Sequence, residues 1–341
     1  MRPGFAKRRK SLKKLMEKRG LDAVITPDAN DVFYYTGYSG MRDDRIFMLF
    51  PAGGVPKLLV SPLENDAAEK YPRIAYIREA KDFTAQLKRF KTMGYDERSL
   101  NLLLFREMKI NLKTRLVPVG KMMEIPRIAK DDYEIGQLRG AIDLTGKVLG
   151  KIGSSLYGKT EKQVADSIEI EYRKLGVSES FESIVCAGRH SAFVHHKPDQ
   201  TVAKANGAVL VDTGCRVNGY CSDITRMFFR RLDAKQKRIY GDVRQIHDEL
   251  IDSIRAGVAY KKIEELYKKL YAKNGYRVTH GFGHGIGLSV HESAGDVLKE
   301  NAVLTVEPGV YIKNSAGFRV EDMVLVKKNR AEVLSKTIPI L

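Results

Sequence analysis

Five residues that can bind a metal ion are spread along the later part of the 341-residue chain, each in its own short motif. In order they are Asp212 in VDTGC, Asp223 in SDITR, His284 in HGFGHGIGL, Glu307 in TVEPGVY and Glu321 in FRVEDMVLV. Four carboxylates with one imidazole suit Mn²⁺, Fe²⁺, Co²⁺ or Zn²⁺ better than a thiolate site would. Carboxylates gathered without cations repel one another, whereas two divalent ions balance four of them. The sequence therefore predicts a fold that gathers five motifs around a two-metal hydrolytic centre, in which a water shared by the ions attacks a carbonyl.

Two further side chains are predicted to support these ligands. Side chains on a strand alternate between its faces, so Arg319 and Glu321 are expected to share one face of a strand through FRVED. Arg319 could then brace the ligand carboxylates. By the same alternation Asp223 and Thr225 point together and Arg226 faces away, which would let the Thr225 hydroxyl hydrogen-bond a neighbouring ligand.

The length of the chain predicts two domains with separate cores. Residues 1–124 alternate helical and strand patterns, with LDAVIT, RIFMLF and KLLVS as strands and AKDFTAQLKRF as a helix, which predicts a small α/β domain. The segment GKMMEIPRIAK contains the predicted boundary. Residues 125–341 run helix, helix, strands and then repeat that order, which predicts an α+β domain and hints at an internal duplication. Thr160 and Gln163 offer a capping box for its second helix.

Charge and composition argue against several classes of protein. The formal charge of +17 is spread over both halves of the chain and is densest in KRRKSLKKLMEKR at residues 7–19, without the aromatic platforms of a nucleic-acid-binding arm. We expect that run to form a first helix with one packed apolar stripe, and we expect no specific nucleic-acid partner. No apolar run is long enough to cross a bilayer. Three cysteines without a CxxC pair, and the absence of a signal-peptide pattern, favour buried inert thiols and a cytoplasmic location.

The motifs resemble those of the pita-bread metallopeptidases, the family of methionyl aminopeptidase, aminopeptidase P and prolidase. The resemblance covers residues 125–341 and is carried by DTGCRVNGYCSDITRMF at residues 212–228, THGFGHGIGLSVHE, TVEPGVY and FRVEDMVLV. The segment LDAVITPDANDVFYYTGYSG, residues 21–40, is similar to the creatinase-type N-terminal domain of aminopeptidase P and prolidase. The resemblance implies an α+β fold, with a pita-bread catalytic domain preceded by a smaller creatinase-type α/β domain.

The resemblance also implies how the metal ligands are shared. Asp212 and Asp223 would bind one ion, and His284 and Glu307 would bind the other. Asp223 and Glu321 would bridge both ions. All five ligand positions of the family are filled, and Mn²⁺ is the expected metal, with Co²⁺, Zn²⁺ or Fe²⁺ as alternatives.

Five residues at or around the predicted metals match substrate-binding or catalytic positions of the family. His195 matches a histidine that contacts the substrate, and His291 matches one that stabilises the tetrahedral intermediate. Glu307 would double as the proton shuttle. His280 and Arg319 match substrate-binding positions of the proline-directed members, which disfavours methionyl aminopeptidase.

The expected function is therefore hydrolysis of the Xaa-Pro bond at peptide N-termini by a homodimeric, aminopeptidase P-like enzyme. Prolidase, which cleaves Xaa-Pro dipeptides, is the alternative, and a non-enzymatic nucleic-acid- or protein-binding member of the fold is the rival from another class. A creatinase-like amidinohydrolase is disfavoured because that relative lacks the full ligand set. Among the remaining histidines, His190 and His247 are predicted to be structural and His196 to be exposed.

Overall fold

A computed structural model describes residues 4–39, 46–59, 75–77 and 85–340. The chain divides into two compact units, Met1–Arg127 and Ile128–Leu341. The predicted boundary, between residues 124 and 125, falls inside a 3₁₀ helix, Gly120–Arg127, that belongs to the first unit. Two contacts hold this helix there: Tyr34 Oη donates to the Pro126 carbonyl at 2.7 Å, and Arg127 pairs with Asp31 at 3.2 Å.

The described part of the first unit contains one mixed sheet in the order β4-β3-β2-β1-β5-β6. Its strands are β1 Ala23–Thr26, β2 Phe47–Pro51, β3 Lys57–Leu59, β4 Ala75–Ile77, β5 Thr92–Tyr95 and β6 Arg115–Pro118. Its helices are α1 Phe5–Lys18, α2 Ala29–Thr36 and α3 Leu102–Asn111. The three strands predicted from the sequence are present, and the predicted helix over AKDFTAQLKRF lies partly outside the described residues. Helix α1 buries Leu12 and Met16 while most of its lysines stay at the surface, as predicted for an amphipathic helix.

The second unit begins with two helices, α4 Asp132–Gly153 and α5 Glu161–Lys174. Both start with a capping box, Asp131 with Glu134 and the predicted Thr160 with Gln163, which satisfies backbone N–H groups that have no partner inside the helix. The β-branched and apolar segments that follow form short strands. They are β7 Ser178–Glu179, β8 Ile184–Ala187, β9 Val209–Thr213, β10 Cys215–Val217, β11 Tyr220–Cys221 and β12 Ile224–Phe228.

The same order of elements then occurs again. Helices α6 Ala234–Ser253 and α7 Tyr260–Lys273 precede the strands β13 Val303–Val306, β14 Gly309–Tyr311, β15 Gly317–Arg319, β16 Asp322–Val326 and β17 Ala331–Val333. The strands of this unit form small antiparallel sheets in the orders β11-β10-β7, β12-β9-β8, β13-β16-β17 and β14-β15. The predicted order of helix, helix, strands, repeated once, is therefore present, and a duplication as its origin stays a prediction.

The core of the second unit lies between helices α6 and α7 and the strands. Its largest fully buried members include Tyr267, Tyr271, Phe282 and Phe318, which are at most 2% exposed. Burying a large side chain stabilises a fold by about 1.5–3 kcal/mol, so these aromatic residues fix the strands against the helices. None of the described helices is long and apolar enough to span a bilayer.

Candidate metal centre

All nine residues that the sequence predicts to be metal-binding, substrate-binding or catalytic line one cavity of about 460 Å³ in the second unit. They are Asp212, Asp223, His284, Glu307, Glu321, His195, His280, His291 and Arg319. The remaining lining includes four apolar side chains that sequence reasoning did not assign, Phe181, Ile184, Val194 and Val290. The fold thus brings the five motifs to one place.

Strand pairing positions the two aspartates. In the antiparallel pair β9–β12, Asp212 lies directly opposite Thr225, so their side chains are on the same face of the sheet. Asp223 immediately precedes β12 and is two residues before Thr225, which gives it the same face. The VDTGC and SDITR motifs therefore deliver both carboxylates to one side of one sheet.

A second antiparallel pair positions the two glutamates. In β13–β16, Val306 lies opposite Asp322, and extending that register by one residue places Glu307 opposite Glu321. Both glutamates lie just outside these strands. Glu307 is between β13 and β14, and Glu321 is between β15 and β16. The prediction of one continuous strand through FRVED is therefore wrong, because β15 ends at Arg319 and β16 begins at Asp322. The interruption lets β15 pair with β14 and β16 pair with β13.

The glycine-rich segment brings His284 alongside β13. His284 N–H donates to Thr305 Oγ1 at 3.0 Å, and the Thr305 N–H donates back to the His284 carbonyl at 2.8 Å. A Cβ atom on Gly283 would lie 2.0 Å from the Thr305 carbonyl oxygen. Glycine is therefore required at residue 283 by the closeness of the two backbones.

The donor atoms of the predicted ligands converge. His284 Nε2 lies 3.7 Å from Asp223 Oδ2 and 3.5 Å from Glu307 Oε1. Asp223, His284 and Glu321 each offer a donor atom within 4.8 Å of the others. Ligands that share one ion at roughly 2.0–2.2 Å would lie this close together.

Arg319 and Thr225 form hydrogen bonds with the carboxylates of Asp212 and Glu321, respectively. Arg319 Nη2 donates to Asp212 Oδ2 at 2.5 Å, and Arg319 Nε donates to Thr225 Oγ1 at 2.9 Å. The Thr225 hydroxyl in turn donates to Glu321 Oε2 at 2.9 Å, as predicted. Arg226 points away, as predicted, and it donates to Asp322 Oδ1 at 2.6 Å.

The negative charges of the predicted ligand carboxylates are not balanced by the positive groups of the protein alone. Burial, together with the charges of Glu321, Asp212 and Glu307, raises the pKa of Asp223 well above its usual range. Burial and the neighbouring Glu307 and Asp212 likewise raise the pKa of Glu321. Burial raises the pKa of Glu307 to about 7, although Arg319 opposes that shift.

One further atom shows that the residues fit a divalent ion. Asp212 Oδ1 is buried and has no hydrogen-bond partner among the described residues. An unsatisfied buried carboxylate oxygen is costly, and coordination to a cation would satisfy it. Burial also lowers the pKa of His284 to about 4, so its imidazole is neutral and can offer a lone pair to a metal at neutral pH.

Tyr311 is a member of the site that sequence reasoning did not assign. Its hydroxyl accepts a hydrogen bond from Arg319 Nη1 at 3.0 Å and lies 2.9 Å from His280 Nε2. Burial, followed by the charge of Arg319, lowers the pKa of His280 to about 4 and keeps that ring neutral. The sequence did contain a sign of this role, because Tyr311 lies in the TVEPGVY motif, four residues after Glu307.

The other histidines lie outside the cavity lining. His247 is buried in α6 with Nε2 3.2 Å from Asp322 Oδ2, in keeping with the predicted structural role. The expectation that His196 is exposed is wrong, because its side chain is only 14% exposed and its Nε2 lies 2.7 Å from Glu161 Oε2. His190 also contacts Glu161, at 3.0 Å.

Two family models match the chain. Residues 136–328 match the description Metallopeptidase family M24, and residues 8–128 match Creatinase/Prolidase N-terminal domain. The first match spans more than half of the chain and includes all nine predicted site residues. The chain belongs to metallopeptidase family M24. The predicted fold class, an α+β pita-bread domain after a creatinase-type α/β domain, is thereby confirmed.

Full-length relatives agree with the M24 assignment. An Xaa-Pro dipeptidase from Pyrococcus horikoshii is 30% identical over 343 residues, which cover 96% of each chain. The solved structure of an Xaa-Pro dipeptidase from Bacillus anthracis superposes with a TM-score of 0.93 at 26% identity and covers 99% of both chains. An X-Pro aminopeptidase from Thermotoga maritima superposes with a TM-score of 0.84 at 26% identity, over 96% of this chain and 97% of that one.

Proposed function

We propose that this M24 metallopeptidase hydrolyses the Xaa-Pro bond at the N-terminus of peptides in the manner of aminopeptidase P. The observation that carries the proposal is the convergence of four carboxylates and His284 on a cavity that also presents His280 and Arg319. Three of the proteins that match nearly the whole chain are named for action on Xaa-Pro substrates, two as dipeptidases and one as an aminopeptidase.

We further propose that the site holds two divalent ions, with Mn²⁺ as the native metal. Asp212 and Asp223 would hold one ion, His284 and Glu307 the other, and Asp223 with Glu321 would bridge them. When bound, two such ions lower the pKa of a shared water and polarise the scissile carbonyl. The unsatisfied oxygen of Asp212 and the raised carboxyl pKa values support this assignment.

Protein groups would carry the proton through the reaction. Glu307, with a pKa near neutrality in the metal-free chain, can accept a proton from the attacking water and deliver it to the prolyl nitrogen as the C–N bond breaks. His291 lies beside His284, with ring centroids 4.2 Å apart, and would donate a hydrogen bond to the oxyanion of the tetrahedral intermediate. His195 would contact the substrate at the cavity wall.

The cavity has the size and lining for a short peptide. Its volume of about 460 Å³ is within the roughly 300–1,000 Å³ of small-molecule sites. Phe181, Ile184, Val194 and Val290 supply apolar surface on which a prolyl ring can pack. Tyr311 holds His280 and Arg319 in fixed positions, so these polar groups can orient the peptide without rearrangement.

Prolidase activity is the alternative, and peptide length separates the two. Metal-stripped protein would be assayed with and without Mn²⁺ on an Xaa-Pro dipeptide, an Xaa-Pro-Yaa tripeptide and an Xaa-Ala-Yaa control. We expect Mn²⁺-dependent, proline-selective cleavage with the tripeptide preferred. Cleavage of the dipeptide alone would assign prolidase, and absence of cleavage on every substrate with every divalent metal would refute the Xaa-Pro proposal.

Two broader properties complete the proposal. We propose that the enzyme is a homodimer, as expected for this family, and that it acts in the cytoplasm, where its three buried free cysteines would stay reduced. Sedimentation of the purified chain at micromolar concentration would measure the assembly, and a monomer would contradict it.

A further inference from the structure

A second group of potential ligands lies outside the cavity lining. It consists of Glu161, His190, His196 and Asp199, and each member offers a donor atom within 4.8 Å of the others. Glu161 is the first residue of α5, and the other three lie in the segment after β8 that also carries His195 to the cavity. We call these four residues the Glu161 cluster.

Glu161 is the buried centre of the cluster. Its side chain is 0% exposed, and its two oxygens face different histidines. His190 Nδ1 lies 3.0 Å from Oε1, and His196 Nε2 lies 2.7 Å from Oε2. The centroids of the two imidazole rings are 4.3 Å apart, so the two rings lie close to each other as well as to the carboxylate.

Asp199 supplies a fourth donor at the edge of the cluster. Its Oδ1 lies 3.9 Å from His190 Nδ1, which is too far for a hydrogen bond but suits two ligands of one ion. The Asp199 side chain is 52% exposed, so a cation can reach the cluster from solvent. The distances of 2.7–3.9 Å bracket the spacing of about 3.3 Å between donors around a tetrahedral zinc ion.

The charge of the cluster also matches a divalent cation. Imidazoles that bind a metal do so as neutral ligands, so the two carboxylates of Glu161 and Asp199 would balance a divalent charge. Neither carboxylate forms an ion pair with a lysine or arginine among the described residues. Two imidazoles with two carboxylates are donors that suit Zn²⁺ and related transition ions, and they suit Mg²⁺ or Ca²⁺ poorly. We propose that the Glu161 cluster is a second, structural metal site that binds one Zn²⁺-type ion.

A bound ion would connect the start of α5 to the segment that carries His195. Glu161 already accepts backbone hydrogen bonds from Ala187 N–H at 2.6 Å and Asp199 N–H at 3.2 Å, at the two ends of that segment. In binding, a metal ion would replace the contacts of His190 and His196 with Glu161 by ligand bonds, and any proton on those ring nitrogens would be released. The ion would therefore fix the segment on both sides of His195 without contacting the substrate.

Zinc binding by a chain with a disabled catalytic cavity tests the proposal. The triple variant Asp223→Asn, His284→Gln, Glu321→Gln would be stripped of metal and titrated with Zn²⁺ against a chromogenic chelator. We expect about one tightly bound Zn²⁺ per chain, lost when His190→Gln and His196→Gln are added and kept when His195→Gln is added instead. Absence of tight binding by the triple variant, or equal binding after the His190 and His196 changes, would overturn the proposal.

A footprinting measurement tests the same site without changing the residues of the Glu161 cluster, so it does not depend on whether the cluster variants fold. The triple variant would be treated with diethyl pyrocarbonate with and without Zn²⁺, and modified histidines would be mapped by mass spectrometry. We expect Zn²⁺ to protect His190 and His196 but not the exposed His195. Equal modification of His190 and His196 with and without Zn²⁺ would refute the site. Neither readout uses peptidase activity, so failure of the Xaa-Pro proposal would leave both unchanged.

Discussion

The hydroxyl of Thr225 donates a hydrogen bond to Glu321 Oε2 at 2.9 Å, and both residues are buried. Thr225 Oγ1 in turn accepts a hydrogen bond from Arg319 Nε at 2.9 Å. Thr225 thus orients a predicted bridging ligand from the strand that begins immediately after Asp223. The position of one proposed ligand therefore depends on a residue that is not itself proposed to bind metal.

Thr225→Val should weaken metal binding while the fold is kept. Valine has nearly the same shape but lacks the hydroxyl, so Glu321 loses a hydrogen bond and Arg319 Nε loses its acceptor. Loss of such a supporting contact costs roughly 10–100-fold in metal affinity or activity. Competition with a chelator would measure the dissociation constants. Thr225→Ser keeps the hydroxyl and should retain most of the affinity, and equal affinity of the valine and wild-type chains would contradict the role of Thr225.

Asp223→Ala or Glu321→Ala should abolish turnover and metal loading. Both side chains are assigned to bridge the two ions, so either loss removes a ligand from each ion at once. Elemental analysis of the purified chain and hydrolysis of an Xaa-Pro peptide would measure the two effects. Asp166→Ala, which removes an exposed carboxylate on α5, is the control and should change neither. Full activity in either alanine variant would disprove the assignment.

His291→Ala should lower kcat while both ions stay bound. His291 lines the cavity beside His284, and we propose it as a group that stabilises the intermediate and not as a ligand. Removing one donor to an oxyanion typically costs about 100–1,000-fold in kcat. Steady-state kinetics together with metal analysis would check this. A loss of metal in proportion to the loss of activity would make His291 a ligand instead.

The predicted metal ligands could be found from the sequence because each of them lies in a distinctive short motif. The contacts that bring these motifs together could not be found in this way. VDTGC and SDITR could be placed on strands, and the alternation of side chains then gave the shared face of Asp223 and Thr225. The register that pairs Asp212 with Thr225, and the approach of Gly283 to Thr305, are contacts between distant segments. Local patterns carry no information about such contacts.

The errors have the same physical origin. FRVED was expected to be one strand, but β15 and β16 pair with different partners, so the strand is interrupted between Arg319 and Asp322. His196 was expected to be exposed, but its side chain is only 14% exposed. Its partner Glu161 is 35 residues away, at the start of a helix.

The metal-free chain should lose stability as the pH rises, and metal should reverse that loss. The pKa of Glu307 is raised by burial from 4.5 to about 7, so folding favours its protonated form. That contribution is complete below about pH 4.5 and disappears as the pH rises through 7, and the raised pKa values of Asp223 and Glu321 act in the same direction. For Glu307 the change is on the order of 2 kcal/mol. Urea unfolding of stripped protein between pH 5 and pH 8 would measure it, with Glu307→Gln as the control that should show a flatter profile. The opposite result would be a free energy of unfolding that rises from pH 5 to pH 8 in the stripped chain compared with Glu307→Gln. That result would show that the protein balances these carboxylates without metal.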